Sequence, residues 1–346
     1  MSDRRAGVPL SVLDIAPVVQ GATVAETMAR TLDLARHAER LGYLRHWFSE
    51  HHSTLSLAAS APALLVAEAA HATRTLRVGA AGVLLAHQRP LLVAEQYCTL
   101  AAFHPDRIDL GVSPATGSLN PAVQIALRGG AGPCTAEDFA ARTEELLRLL
   151  DPATDTAGGV LVTPSPDSGP PVWMVGRDET DAVLAGRCGL PFVFGYHFSP
   201  HTVDAALKAY RSAFRPSERW PKPYVVLDVL VLLAETGERA RYLAGPLEVA
   251  ALQMREGRLG PYLRPEEAEA VAAGCPAGQR AEVRAQFDSQ VVGDPVAARR
   301  ALATLLERTG ADEIMAITIV TDHAARLRSY ELLAEVAADL RTRALR

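Results

Sequence analysis

Short apolar runs of β-type residues alternate along this chain with segments of helical spacing, and that alternation leaves few folds open. Ser11-Val12-Leu13-Asp14-Ile15-Ala16 is the first such run. Thr23 and Glu26 have the Thr-x-x-Glu spacing of a capping box, which opens a helix carrying Met28, Leu32, Ala35 and Leu41 and stopped by Gly42. The unit then repeats, with strands over 46–49, 77–85 and 107–112 alternating with helices over 60–72 and 91–103. A helix capped by Thr135 and running to Leu150, strands over 172–175 and 190–195, and a helix start at Ser199-Pro200 continue the pattern. The run 224–233 is apolar save for one Asp, as expected of a strand buried on both faces of a parallel sheet. A last strand over 313–320 precedes a terminal helix capped by Asp322. About eight strands alternating with helices predict an α/β fold of the (β/α)8 barrel type and not a doubly wound sheet. Barrels use a length of 346 residues as one domain, so 1–346 reads as a single unit. Two additions cover its mouth: a Gly- and Pro-rich loop over 113–134 and an irregular helical insertion over 237–288.

Composition narrows the function. The formal net charge is −5, which disfavours nucleic acid, because phosphate binding needs clustered Lys and Arg. No apolar run reaches the roughly 18–20 residues that cross a bilayer, and the first residues lead into no signal-type segment, so the expected location is the cytoplasm. Cys98, Cys134, Cys188 and Cys275 are too scattered for a metal pair or a disulfide framework and read as small buried apolar residues. No Gly-x-Gly-x-x-Gly follows a strand and no Gly-x-x-x-x-Gly-Lys-Ser/Thr occurs, so a nicotinamide dinucleotide has no Rossmann-type seat.

In a barrel of this kind chemistry collects at the C-terminal ends of the strands. Glu50-His51-His52 stands at the end of the second strand. Neighbouring side chains on extended chain point opposite ways, so one histidine is expected to handle protons and the other to serve structure. A hydrogen-bonded pair with no chemical role is the alternative. A metal site is disfavoured, since adjacent histidines chelate poorly together and no partner cluster has ligand spacing. Ala81-Gly82, at the end of the third strand, lets a flat group approach the backbone, or lets a helix pack tightly. Gly176-Arg177-Asp178 follows the fifth strand at a helix start, where N–H groups hold an anion or an exposed ion pair forms. Tyr196-His197, with Phe198 beside them, end the sixth strand and either line a pocket with His52 or close the rim.

Taken in order, these segments resemble the luciferase-like monooxygenases, a flavin-dependent (β/α)8 family, and in particular its single-chain oxidoreductase branch. The similar stretches span nearly the whole chain; among them are Ser11 to Val18, Glu50-His51-His52, Ser60-Ala61-Pro62, Arg77-Val78-Gly79, Asp106 to Gly111, His197-Phe198-Ser199-Pro200 and Asp322 to Tyr330. The resemblance implies a site that takes reduced FMN from a separate flavin reductase, reacts it with dioxygen and passes one oxygen atom to an organic substrate. It places His51 on the family's catalytic histidine, with Glu50 orienting it. It also places Ala81-Gly82 on a pair that the family often joins by a cis peptide under the flavin ring, and Ser113, Gly176, Arg177 and Asp178 around the cofactor. A homodimer is implied as well.

The chain departs from that family at the phosphate end. Pro114 stands where an Arg is usual, and Arg177 and Asp178 stand where serines are usual. A carboxylate facing a phosphate repels it, so Arg177, or else Arg89, is expected to replace the missing cation and reduced FMN to be held weakly. High Ala, Arg and Pro usage points to an apolar, polyketide-type substrate. Two other readings stay open: hydride transfer with a deazaflavin, and a non-catalytic partner subunit.

Overall fold

The computed structural model describes residues 7–118, 120–130, 132–152, 159–165, 169–258 and 260–340. Among these, the strands are β1 (Leu10–Asp14), β2 (Arg45–Phe48), β3 (Arg77–Leu84), β4 (Ile108–Ser113), β5 (Val172–Gly176), β6 (Phe192–Gly195), β7 (Val225–Leu233), β8 (Val291–Gly293) and β9 (Glu313–Ile317). The sheet order β6-β5-β4-β3-β2-β1-β9-β7-β8 is closed by a β6–β7 pairing, which makes a barrel of 8 parallel strands from β1–β7 and β9. Strand β8 lies outside that ring, against Val231–Leu233 at the end of β7. Its three residues are too short a run to stand out in the sequence.

The helices are α1 (Val24–Arg40), α2 (Pro62–Ala72), α3 (Pro90–Phe103), α4 (Pro121–Leu127), α5 (Ala136–Leu150), α6 (Glu179–Arg187), α7 (Val203–Ala213), α8 (Gly237–Arg255), α9 (Pro265–Ala273), α10 (Ala277–Phe287), α11 (Pro295–Thr309) and α12 (His323–Ala338). The expected capping box forms: Glu26 N–H donates to Thr23 Oγ1, and Thr23 N–H donates to the Glu26 carboxylate. The loop 113–134 is not wholly irregular, because Asn120 caps the short helix α4 by accepting from Ala122 N–H. Residues 119, 131 and 259, parts of that loop and of the 237–288 insertion, lie outside the described residues. Helix α7 starts later than Ser199-Pro200 suggests, since Thr202 is its N-cap residue and the Thr202 hydroxyl is drawn back onto the carbonyls of Arg177 and Ser199. The insertion becomes α8 to α10 and reaches the β1 side of the mouth through Tyr262, whose backbone pairs with Val18 and Gln20 at 2.8 Å each. Of the cysteines only Cys98 is buried; Cys134, Cys188 and Cys275 are half-buried, which corrects the reading of all four as interior.

Alternation along each strand sorts side chains into two cores. Val12, Val78, Leu110, Phe192 and Phe194 pack outward under the helices, whereas Leu13, Trp47, Trp173, Val193, Val226 and Met315 fill the lumen. The lumen floor is ionic. Arg45, from the first position of β2, donates to Asp109 and Glu313 at 2.8 and 3.1 Å, while its guanidinium lies 4.3 Å from the Trp173 ring centroid. Tyr224 and Arg77 complete the floor by donating to Glu313 and Asp109. A floor plugged by satisfied charges leaves the opposite end of the lumen for chemistry.

Candidate active site

The site is assembled from the C-terminal ends of the strands. In β2 and β3 Phe48 lies opposite Ala80, so the chain leaving β2 as Ser49-Glu50-His51-His52 runs beside Ala81-Gly82. The peptide between Ala81 and Gly82 is cis, as the family resemblance implies, and the β3–β4 register shifts between Ala80 and Val83. A Cβ on Gly82 would meet the Val112 carbonyl carbon at 2.9 Å, so glycine is required there by the approach of β4.

Glu50 is buried and holds this corner together. Its carboxylate accepts from Leu84 N–H at 3.0 Å and from Gln88 Nε2 at 3.1 and 3.0 Å, and it lies 2.9 Å from His52 Nε2. Glu50 therefore orients His52 and the turn after β3, and not His51 as the sequence suggested. His51 instead shares a 3.0 Å hydrogen bond between Nδ1 and Ser49 Oγ, and its N–H donates to the Ala59 carbonyl. His52 is fixed a second time, by donating its N–H to the Gly117 carbonyl in the loop after β4. His52 is thus tied by the carboxylate, whereas His51 is left with one ring nitrogen without a hydrogen-bond partner among the described residues. Burial, then the nearby His197 and His52, push the His51 imidazole down to about 4, which leaves it neutral at physiological pH.

His197 follows β6 and turns into the lumen, where its Nδ1 lies 3.0 Å from Asp228 Oδ2 and its N–H donates to the Asp228 carbonyl at 3.1 Å. Asp228 is the single acid in the apolar run of β7. It shares a face with the lumen residues Val226 and Leu230. The Phe198 ring covers His197 at 3.9 Å between centroids and is itself 64% exposed. Tyr196 does not belong here. It is buried in the outer core with Phe192 and Phe194, where period-two alternation sends it, and its placement in a substrate pocket is corrected.

At the end of β5, Asp178 is the N-cap of α6 and accepts from the N–H groups of Thr180 and Asp181 at 2.9 and 3.1 Å. The carboxylate thereby occupies the helix N-terminus that an anion would use. Asp181 folds back to accept from Arg177 N–H at 3.0 Å, and burial pushes its carboxyl up to about 6. Gly176 is buried against Asp181, whereas the Arg177 side chain is exposed. Ser113, at the end of β4, is buried and its hydroxyl accepts from Ala115 N–H at 3.2 Å. Arg89 precedes α3 at the same end of the barrel. Among the described residues no group of three or more His, Cys, Asp or Glu side chains is arranged to hold a metal ion, and no helix is long and apolar enough to cross a membrane.

The ring end of this site suits a flat cofactor: a narrow wall at Ala81-Gly82 stands beside an imidazole with a free nitrogen. The other end suits an anion less well, since Asp178 takes the helix N-terminus and leaves Arg177 or Arg89 to supply a cation. The closed (β/α)8 barrel carries His51, His52, His197, Glu50 and Asp228 toward the C-terminal ends of its strands, the end at which barrel enzymes place their chemistry. The chain belongs to the luciferase-like monooxygenases, an oxidoreductase family whose model matches residues 11–325. It is 35% identical over 333 residues to a luciferase-like monooxygenase of Escherichia coli strain K12, covering 96% of this chain and 98% of that one. The crystal structure of apo-MsnO8 matches with a TM-score of 0.89 and 36% identity, over 97% of this chain and 100% of its own. The FMN complex of the oxygenating constituent of 3,6-diketocamphane monooxygenase from Pseudomonas putida has a TM-score of 0.71 over 97% of this chain and 99% of its own, at 19% identity, and so shares the fold.

Proposed function

We propose that this protein is a two-component monooxygenase. It borrows reduced FMN from a separate flavin reductase, uses dioxygen, and oxygenates a bulky apolar substrate of polyketide type in the cytoplasm. The observation that carries the reading is the His51 imidazole just after β2, held by Ser49 through Nδ1 and with its other nitrogen free, alongside the small Ala81-Gly82 wall. When bound, the reduced flavin supplies the electrons that activate dioxygen. The protein's part is to seat the ring on that wall, to keep water from it with the apolar lumen, and to hold or receive a proton at the free His51 nitrogen. His52, Glu50 and Gln88 keep the corner rigid, and Phe198 faces outward where an apolar substrate would enter.

Weak, reversible flavin binding follows from the phosphate end. Replacing Arg177 by Ala is expected to weaken reduced-FMN binding roughly tenfold, the size of one charge-assisted hydrogen bond. Asp178→Ser keeps an N-cap but removes the opposing charge, and is expected to tighten binding several-fold. Anaerobic calorimetric titration with reduced FMN measures both; no change in Arg177→Ala removes Arg177 from the phosphate site and leaves Arg89 as its cation.

The reading includes a homodimer. Leu64 on α2 and Leu92 and Phe103 on the adjacent α3 are 70%, 53% and 76% exposed, an apolar surface suited to a second copy. Light scattering should then give twice the 36.9 kDa chain mass, and Phe103→Glu should shift it toward the monomer.

A further inference from the structure

In β7 Val226 and Leu230 point into the lumen, and alternation sends Asp228 between them the same way. Register sets it beside Gly195, the last residue of β6, on one side and beside the apolar Met315 of β9 on the other. Asp228 is only 3% exposed, and its two carboxylate oxygens differ. Oδ2 lies 3.0 Å from His197 Nδ1, whereas Oδ1 is buried with no hydrogen-bond partner among the described residues. A residue present only to hold His197 needs one of these oxygens, and the His197 backbone is already fixed, because its N–H donates to the Asp228 carbonyl at 3.1 Å. The second oxygen is left to accept, and a buried acceptor without a donor is costly.

The β6 side supplies room for a donor. Gly195 stands two residues after the lumen-facing Val193, so the lumen face beside Asp228 carries no side chain there. A Cβ built on Gly195 would meet the Gly176 carbonyl oxygen and Phe198 Cδ2 at 3.6 Å and the Arg177 Cβ at 4.0 Å, all ordinary contact distances. Space for at least a methyl-sized group therefore adjoins the carboxylate, edged by the Phe198 ring and by a backbone carbonyl. Both polar groups at this notch are acceptors, so the group that suits it is a donor.

We propose that Asp228 Oδ1 and the Gly195 notch form a hydroxyl-recognition subsite, in which a phenolic O–H of the substrate donates to Asp228 while its ring packs along the edge of Phe198. The inference deepens the monooxygenase reading and rests on it for calling the ligand a substrate: the polyketide-type compound is then one that carries a free hydroxyl. His197 holds the carboxylate through Oδ2 and so points Oδ1 at the notch. Such a subsite is selective, because an analogue without the O–H leaves the buried acceptor unpaired. A hydroxyl on the ribityl chain of the flavin has the same donor chemistry, and the test separates the two sources.

The test is equilibrium dialysis of the flavin-free protein against α-naphthol and its methyl ether, two probes that differ in the donor alone. The unmodified protein is expected to bind α-naphthol roughly tenfold or more tighter than the ether, the worth of one hydrogen bond to a charged group. Asp228→Asn keeps the shape and withdraws the charge, and should bring that ratio to within about threefold. A purely structural Asp228 would change both probes alike and leave the ratio where it was. Gly195→Ala adds a methyl group that meets only ordinary contacts, so it should fold normally and weaken both probes by filling the notch, which keeps the test sound if Asp228→Asn does not fold. No binding of α-naphthol, a ratio near one in the unmodified protein, a ratio unmoved in Asp228→Asn, or binding unmoved in Gly195→Ala overturns the proposal. Anaerobic repetition with saturating reduced FMN should preserve the ratio; displacement of α-naphthol by the flavin would give the subsite to the ribityl chain and overturn it too. Failure of the flavin reading would show separately, as no reduced-FMN binding with the probe ratio intact.

Discussion

Replacing Arg45 by Ala is expected to lower the unfolding free energy by about 3–5 kcal/mol, the usual cost of removing one partner from a buried ion network. The guanidinium answers Glu313 and Asp109 at once, and both carboxylates are fully buried. Asp109 retains Arg77 and the Trp47 Nε1–H, but Glu313 keeps only the hydroxyls of Ser11 and Tyr224 among the described residues. The loss also strips a cation from the Trp173 ring, where cation–π contact adds to the effect. Urea denaturation followed by circular dichroism measures it. Adding Glu313→Gln to Arg45→Ala should recover part of the stability, because it removes the stranded charge. A change within 1 kcal/mol in the single variant would mean that the floor is not the keystone described.

The second large effect is chemical. His51→Asn is expected to cut turnover by roughly 10²–10⁴, the usual share of one positioned proton-handling group, with stability nearly unchanged. The side chain makes one hydrogen bond, to Ser49, and its backbone bond to Ala59 survives the substitution. Single-turnover rates with reduced FMN, on the substrate found by screening polyketide-type aromatics, supply the measurement. Binding of reduced FMN should stay within a few-fold of wild type, which separates lost chemistry from a lost site. Glu50→Gln provides a contrast: it should loosen His52, Gln88 and the turn after β3 together, and so lower stability as well as rate.

The barrel was legible because its signals are local. Runs such as Val225–Leu233 and caps such as Thr23 with Glu26 report burial and helix starts without reference to the rest of the chain. Strand β8 was not, having three residues that gain meaning only by lying against β7. The same divide runs through the site. Placement of the Glu-His-His segment at a strand end was readable, but the partners of Glu50 beyond that segment are Leu84 and Gln88, 34 and 38 residues on. Ser49 as the partner of His51 was within reach, since both sit two residues apart in one turn. Tyr196 was misplaced although alternation from Phe192 and Phe194 already pointed it outward. The solitary Asp228 in an apolar strand was the one visible sign of the His197 pair, and only closure of β6 onto β7 brings the two together.

The central claim is that the mouth seats a reduced flavin ring against Ala81-Gly82 with His51 beside it. A crystal structure of the protein grown anaerobically with saturating reduced FMN tests this most directly. The expected result is ring density on that wall, with the free His51 nitrogen facing the ring and the phosphate directed to Arg177. Flavin bound elsewhere, or an empty mouth at saturating flavin, would contradict it.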